Sequence, residues 1–476
     1  MRQTDLATRV VALVFLLFFL LATGCEQKGP ETVPAIAETT SVDRPTSSPT
    51  IDLAPWQKAD IDWRQAAGAN LSVLAAAHAG FPALKPLLPI FEALTGIRVG
   101  YLMADETDMR TKRRVDLASG AGVYDVVPIG VTYLGEAHAS GWLDDLSGPL
   151  NDPTLTDAAW FDVEDISQAL RDLHVMDGSL LAIPYSSATG VFAYRKDLFA
   201  RYNLSVPDSY AEIVAMKAKL QAALDKDGLQ DTYAFATRAK IGAGRNTWMV
   251  ISCIRAYGGE MLDANGRAIF NSPEAVRALD VYRDMITGAG TPPESEAMDI
   301  YQMRKLFGEG KLASMIVASD FFNQIDSPEK SPVWDRWDVA VIPRGPASRE
   351  TSLWAWAWGI NSASSQKRAA WLFTQWATSK ATIDLLGTGV APARLSAWEA
   401  KAFQGLGAPG LIVGTTWALN HATPSRLQTG IPEFPEAGLA ASLAFSEIFF
   451  GAQVQETLDA AVKKVDGIME KGPTKR

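Results

Sequence analysis

The sequence predicts an α/β fold, and three observations predict it. Short apolar β-type runs alternate with amphipathic helical stretches over residues 71–470. A strand, helix, strand order is already complete within residues 71–102, which calls for a parallel pair. No internal repeat and no long charge block interrupts the pattern.

The elements follow in order. Residues 71–75 (LSVLA) read as a strand, then a small polar loop at 78–82. Leu84, Leu87, Leu88, Phe91 and Leu94 share one helical face, and Gly96 is placed to end that helix. Residues 97–102 form the second strand, 109–119 a helix, 124–129 a buried strand and 133–140 a helix stopped by Gly141. Residues 180–184 and 191–194 read as two further strands, and Pro207-Asp208 introduces a helix over 210–224. Helices are expected at 247–257, at 272–287 with Ser272-Pro273 at its start, and at 303–309. Strands at 313–317 and 337–342 precede a helix over 367–376, and a helical tail over 440–469 is broken at Gly451.

Composition narrows the function. The chain has 476 residues, 54 acidic against 44 basic, and a formal net charge of −10. That balance argues against nucleic acid as a partner, because phosphate binding needs a basic face. With 47% hydrophobic and 21% charged residues the chain is neither disordered nor a multi-span membrane protein. At about 150 residues per domain the length suggests two or three units. Four histidines, none paired at metal-ligand spacing, give no metal site, and no G-x-S-x-G elbow occurs. Gly242-Ala-Gly244 and Gly308-Glu-Gly310-Lys311 lack the spacing of nucleotide loops and read as turns. The paired carboxylates Asp105-Glu106 and Asp144-Asp145 could in principle serve glycosidic chemistry, but adjacent loop carboxylates are usually solvated.

The two cysteines have different settings. Arg2 and Arg9 precede a thirteen-residue apolar run, 10–22, too short to span a bilayer and suited to an export signal. Thr23-Gly24-Cys25 after it resembles a bacterial lipobox, with Leu21 one place further from the cysteine than usual. The resemblance implies a signal over 1–25 and acylation of Cys25, which anchors the chain to a lipid membrane; plain secretion and an uncleaved anchor remain open. Residues 26–68, rich in Pro, Ser and Thr, are expected to be a disordered tether. Cys253 lies in an apolar helix and is expected to be a buried free thiol.

Several segments, in order, carry a family resemblance. They are LSVLAAAHAG and FPALKPLLPIFEALTGIRV, then GVYDVVPIGVTYLGEAHASGWLDDL, LLAIPYSSATGVFAYRKDLFARYNLSVPDSYAEI, AYGGEMLD, FGEGKLASMI, WDVAVIPRGP, WGINSASSQKRAAWLFTQWATS and GVAPAR. Together they resemble the family 1 extracellular solute-binding proteins of bacterial ABC importers, the group that includes maltose-binding proteins. One departure is Tyr-Arg-Lys-Asp at 194–197, where Tyr-Asn-Lys-Asp is commoner.

The resemblance implies a two-lobed periplasmic-binding-protein type II fold that closes on a ligand. It places an amino lobe at 69–187 plus 344–390 and a carboxy lobe at 188–343 plus 391–476. It implies a small-molecule solute, a carbohydrate by default, an ABC permease as partner, a monomeric chain, no cofactor and no catalysis. A ligand-sensing or orphan envelope lipoprotein on the same fold stays open, since sites are grafted onto folds.

Ligands of open α/β sheets bind beyond the carboxyl ends of strands, which selects loops. The candidates are His78 with Phe81 beside it, Asp105 and Glu106, Thr132 and Tyr133, Tyr185 at the crossover, Asp320 and Phe321, and Arg394. Trp354, Trp356 and Trp358 alternate, so a strand would turn all three one way. Carboxylates suit hydroxyl groups and aromatic rings suit the C–H face of a sugar. Each has a plainer reading: a solvated loop for Asp105 and Glu106, a cap for His78 or Asp320, a buried strand for the tryptophans. Trp248 reads equally as core. Ile431-Pro-Glu-Phe-Pro-Glu436 resembles a stretch of polyol- and sugar-binding members and nominates Phe434.

Overall fold

The computed structural model describes residues 51–472, apart from 79, 424, 426, 428 and 429. The export signal, Cys25 and the tether as far as residue 50 lie outside the described residues. Folding begins earlier than the sequence suggests. Trp56, 1% exposed, donates its indole N–H to Thr382 Oγ1 at 3.1 Å. Trp63 donates to the Trp56 carbonyl at 2.9 Å and meets the Trp160 ring edge to face at 5.5 Å. Residues 51–68 are therefore part of the folded body, held by two indoles, and the expected tether boundary at 68 is corrected.

Among the described residues there are ten strands: β1 Asn70–Ala76, β2 Arg98–Ala104, β3 Val126–Gly130, β4 Val175–Met176, β5 Ser179–Leu180, β6 Ile183–Arg195, β7 Ala236–Thr237, β8 Ser314–Ala318, β9 Trp337–Val341 and β10 Leu353–Ile360. The main sheet runs β2-β1-β3-β10-β6-β8-β7, with β9 also on β6; β4 and β5 form a separate pair. β1 pairs with β2 and β3 in parallel, as the βαβ reading requires.

The sequence suggests two strands at 180–184 and 191–194, and the structure has one, β6, running through both. Its small-residue middle, Ser186-Ser-Ala-Thr-Gly190, finds partners throughout. Residues 183–189 pair antiparallel with β10 and residues 190–195 with β8 and β9. The register shifts at Trp356/Ala357 opposite Ser186 and Pro184.

Helices cover the faces. Lys367–Thr378 buries nearly every side chain, with Trp371, Phe373 and Trp376 in the core as expected. Asn246–Ala256, Pro273–Ile286, Phe434–Phe449 and Val454–Lys471 pack into one layer, the last two parted around Gly451 at φ +101°. Pro409–His421, packed on β9, was not legible in the sequence. Cys253 is free and fully buried, and burial pushes its thiol pKa up.

Candidate ligand-binding site

A cleft of about 560 Å3 opens where β6 and β10 cross the molecule. It draws on three parts of the chain: His78, Glu106 and Arg110; Ser186, Ala188, Trp354 and Trp356; and Arg238, Gly244, Trp248, Ile300, Tyr301, Arg304, Ala318 and Asp320.

The floor is aromatic. Alternation on β10 turns Trp354, Trp356 and Trp358 to one side; the first two meet at 5.6 Å and line the cleft, while Trp358 packs deeper against Phe81 and Phe373. Room for Trp354 comes from Gly130 at the end of β3, where a Cβ would meet the ring at 2.4 Å. Gly244 has φ +74°, a left-handed conformation that glycine alone takes without strain, so the Gly242–Gly244 turn forms part of the wall.

The polar groups come as ion pairs. Asp105 caps the helix Glu106–Ser119 by accepting from the Thr107 and Asp108 amides, which fixes where Glu106 points. Arg110, one turn on, donates to Glu106 Oε1 at 2.5 Å, and its guanidinium lies 4.7 Å from the Tyr133 ring and 5.4 Å from that of Trp356. Arg304 donates to Asp320. Arg238 Nη2 is 3.8 Å from Asp299 Oδ1, which also holds Lys240 at 2.8 Å. Burial works to raise the Glu106 carboxyl, but Arg110, His78 and Arg238 hold it well below the usual carboxylate range. Burial lowers the His78 pKa against the pull of Glu106 and Asp320, so its ring is neutral at pH 7.

Contacts also bridge the cleft. Tyr301 donates to Glu106 Oε2 at 3.2 Å, and Arg245 to Thr107 Oγ1 at 3.3 Å. His78 touches Trp356 at 5.4 Å and Tyr301 at 6.2 Å between centroids.

Among the described residues, several buried polar atoms of this lining take no partner within the protein: His78 Nε2, Arg110 Nη1, Arg238 Nε, Trp248 Nε1 and Arg304 Nε. An unpartnered buried polar group carries a penalty of about 1–3 kcal/mol. All five belong to residues that line one space, which leaves that space rich in unused hydrogen-bonding groups.

Of the residues selected from sequence, His78, Glu106, Asp320, Trp354 and Trp356 line this cleft. The others are elsewhere. Asp105 is the helix cap. Thr132 is buried behind Gly244, and Tyr133 turns its ring to Arg110 and Arg113. Tyr185 lies under the floor, donating to the Gly80 carbonyl at 3.0 Å. Phe321 packs on Phe307 and Trp337, because the turn after β8 sends Asp320 to the cleft and the next residue to the core. Arg394, 1% exposed, spends its donors on the carbonyls of Thr378, Asp162 and Phe161 and on Asp165. Phe434 is core. Arg110, Arg238, Tyr301 and Arg304 were missed. Three had a signal: Arg110 follows Glu106 at i+4, and Tyr301 and Arg304 share a face at i,i+3.

A cleft built from three parts of one chain, with an aromatic floor and paired charges, defines a protein that takes up a small solute. Residues 68–383 match the bacterial extracellular solute-binding proteins, and the chain belongs to that family. It is 29% identical over 339 residues to an erythritol/L-threitol-binding protein of Mycolicibacterium smegmatis, covering 68% of this chain and 69% of that one. It is 28% identical over 302 residues to a mannitol-binding protein of Pseudomonas aeruginosa, covering 63% and 66%. A solute-binding protein of Agrobacterium vitis with bound D-mannitol superposes with a TM-score of 0.74 at 26% identity, over 85% of this chain and 99% of that one. The fold is thus the two-lobed α/β fold expected, and the family is one of binding proteins rather than enzymes. Among the described residues no helix is long and apolar enough to cross a membrane.

Proposed function

We propose that this chain is the solute receptor of an ABC importer, enclosing a small neutral polyol or sugar in the cleft and delivering it to a membrane permease. The observation that carries this is that every cleft arginine already faces a carboxylate: Arg110 with Glu106, Arg304 with Asp320, Arg238 with Asp299. An anionic solute would have to displace those carboxylates. A hydroxyl group donates to the carboxylate and accepts from its guanidinium at the same time, leaving the pair intact. Trp354 and Trp356 offer faces for the C–H side of the carbon chain. Kinship with the erythritol/threitol- and mannitol-binding proteins supports the same class.

In this reading His78, Glu106, Asp320, Trp354 and Trp356, with Arg110, Arg238, Tyr301 and Arg304, hold the ligand. The lobes are 69–187 plus 344–390 and 188–343 plus 391–476, and Cys25 carries the lipid that keeps a monomeric receptor at the membrane face. Calorimetric titration with D-mannitol, ribitol, erythritol and maltose, and with mannonate as an anionic counterpart, tests it. One or more neutral members should bind and, at a hundredfold excess over Kd, add about 2.7 kcal/mol to unfolding. Binding of mannonate alone, or of nothing in the panel, overturns it.

A further inference from the structure

A second cavity, of about 530 Å3, lies between the helix Glu106–Ser119 and the helix Leu134–Ala139. Arg110, Arg113 and Arg114 line it against a single carboxylate, Glu136, with Tyr133 and Trp142 as aromatic walls. With Glu106 pairing Arg110 from the cleft side, that is a local surplus of one positive charge in a chain whose net charge is −10.

The three guanidinium groups are not equivalent. Arg110 is held from the cleft side by Glu106, with Nη1 buried and unpartnered. Arg114 stands at the mouth and donates to Glu136 at 2.7 and 3.1 Å. Arg113 is 3% exposed; it donates to the Pro128 carbonyl at 2.7 Å and lies 5.0 Å from the Tyr133 ring. Among the described residues no carboxylate comes within 4.0 Å of it. Burial, reinforced by Arg110 beside it, pushes its pKa down to about 10. Glu136 and Glu106 act on it only from beyond contact distance, and a buried cation with no carboxylate in contact is rare, because desolvation is unfavourable by several kcal/mol unless a partner offsets it. Neither a neutral sugar nor the apolar side of the cavity supplies that partner. A planar or tetrahedral oxyanion does, and a guanidinium fork is shaped to hold one.

We propose that this cavity is a second binding site, for a small oxyanion of the phosphate or carboxylate type, with Arg113 as its buried counter-ion and Arg114 at its entrance. Arg110 is the wall it shares with the cleft, yet the site stands whether or not the cleft takes a polyol. The test is calorimetric titration of the full chain with inorganic phosphate and with acetate, each against chloride at equal ionic strength. Phosphate or acetate should bind saturably, and which of the two does so names the anion class. R114Q should weaken that binding about tenfold, and E136Q, which frees Arg114, should tighten it several-fold. R113M should abolish it; if that variant does not fold, the other two decide. D320N, which alters only the cleft, should leave it unchanged. Heats equal to those of chloride, indifference to both R114Q and E136Q, or loss in D320N would each overturn the proposal.

Discussion

Arg394 and the cleft residues Arg238 and Arg304 are all buried and differ in what their donors find. Arg394 reaches three backbone carbonyls and Asp165, so that each of its three side-chain nitrogens has a partner. Arg238 and Arg304 each keep a buried Nε with no partner among the described residues, and Arg110 keeps Nη1. The histidines add a condition: His174, in the core with Nδ1 on the Leu170 carbonyl, also leaves Nε2 unpartnered but does not line the cleft, whereas His78 does. Burial therefore does not mark the site. Unspent hydrogen-bonding capacity on residues that line a common space does.

The largest expected effect breaks the contrast on the core side. Arg394→Met strips a buried network of its guanidinium and leaves Asp165 and three carbonyls without it, so unfolding free energy should fall by about 3–5 kcal/mol, read from urea midpoints. The affinity of the remaining folded protein for its polyol should not change. A loss of affinity at undiminished stability would erase the distinction.

Next comes His174, whose burial lowers its pKa to about 4. The unfolded chain, with an ordinary value near 6.5, takes up a proton first as the pH falls. Stability is therefore complete above about 6.5 and is lost progressively toward about 4, by about 3 kcal/mol in all. His174→Asn keeps an N–H for the Leu170 carbonyl and cannot titrate in this range. Its stability should vary less between pH 7 and pH 4.5 than that of the parent; an unchanged slope would assign the acid sensitivity elsewhere.

On the cleft side, Asp320→Asn removes a charge-assisted acceptor and should raise the polyol Kd about 10- to 100-fold, the equivalent of about 1.5–3 kcal/mol. The smallest effect is expected of Tyr301→Phe, which deletes the hydroxyl bridging to Glu106. It should weaken binding by about 0.5–1.5 kcal/mol, chiefly through faster release in stopped-flow traces. Were the order of these two reversed, the bridge rather than the ion pair would carry the affinity.

Much of this was legible in the sequence where a period or a punctuation mark was local. The alternation of Trp354, Trp356 and Trp358 predicts one shared face, and Gly96 and Gly141 stop their helices. Glu106 was found because strand ends point at ligands. What was not legible depends on partners far along the chain. β6 reads as two strands until β10, β8 and β9 are there to pair with its middle. Asp320 and Phe321 are neighbours, and only the turn after β8 decides which faces the cleft. Arg394 follows a proline in an exposed-looking loop, and nothing nearby reveals that Phe161 and Asp162, over two hundred residues earlier, enclose it. Trp56 and Trp63 were the overlooked warning that the supposed tether folds.

The edge-to-face pair on β10 also gives the protein an optical readout of its own. Trp354 and Trp356 stand 68° apart in plane beneath the Arg110 guanidinium, within the cleft that a solute fills. Trp56, Trp337, Trp358, Trp371, Trp376 and Trp398 are sealed in the interior and supply a steady background. Indole emission follows the polarity and charge around the ring, so a guest that expels water from these two and shifts the cation above them alters the spectrum of the whole chain. Occupancy can then be followed by ultraviolet fluorescence, with no label attached and no second molecule to compete.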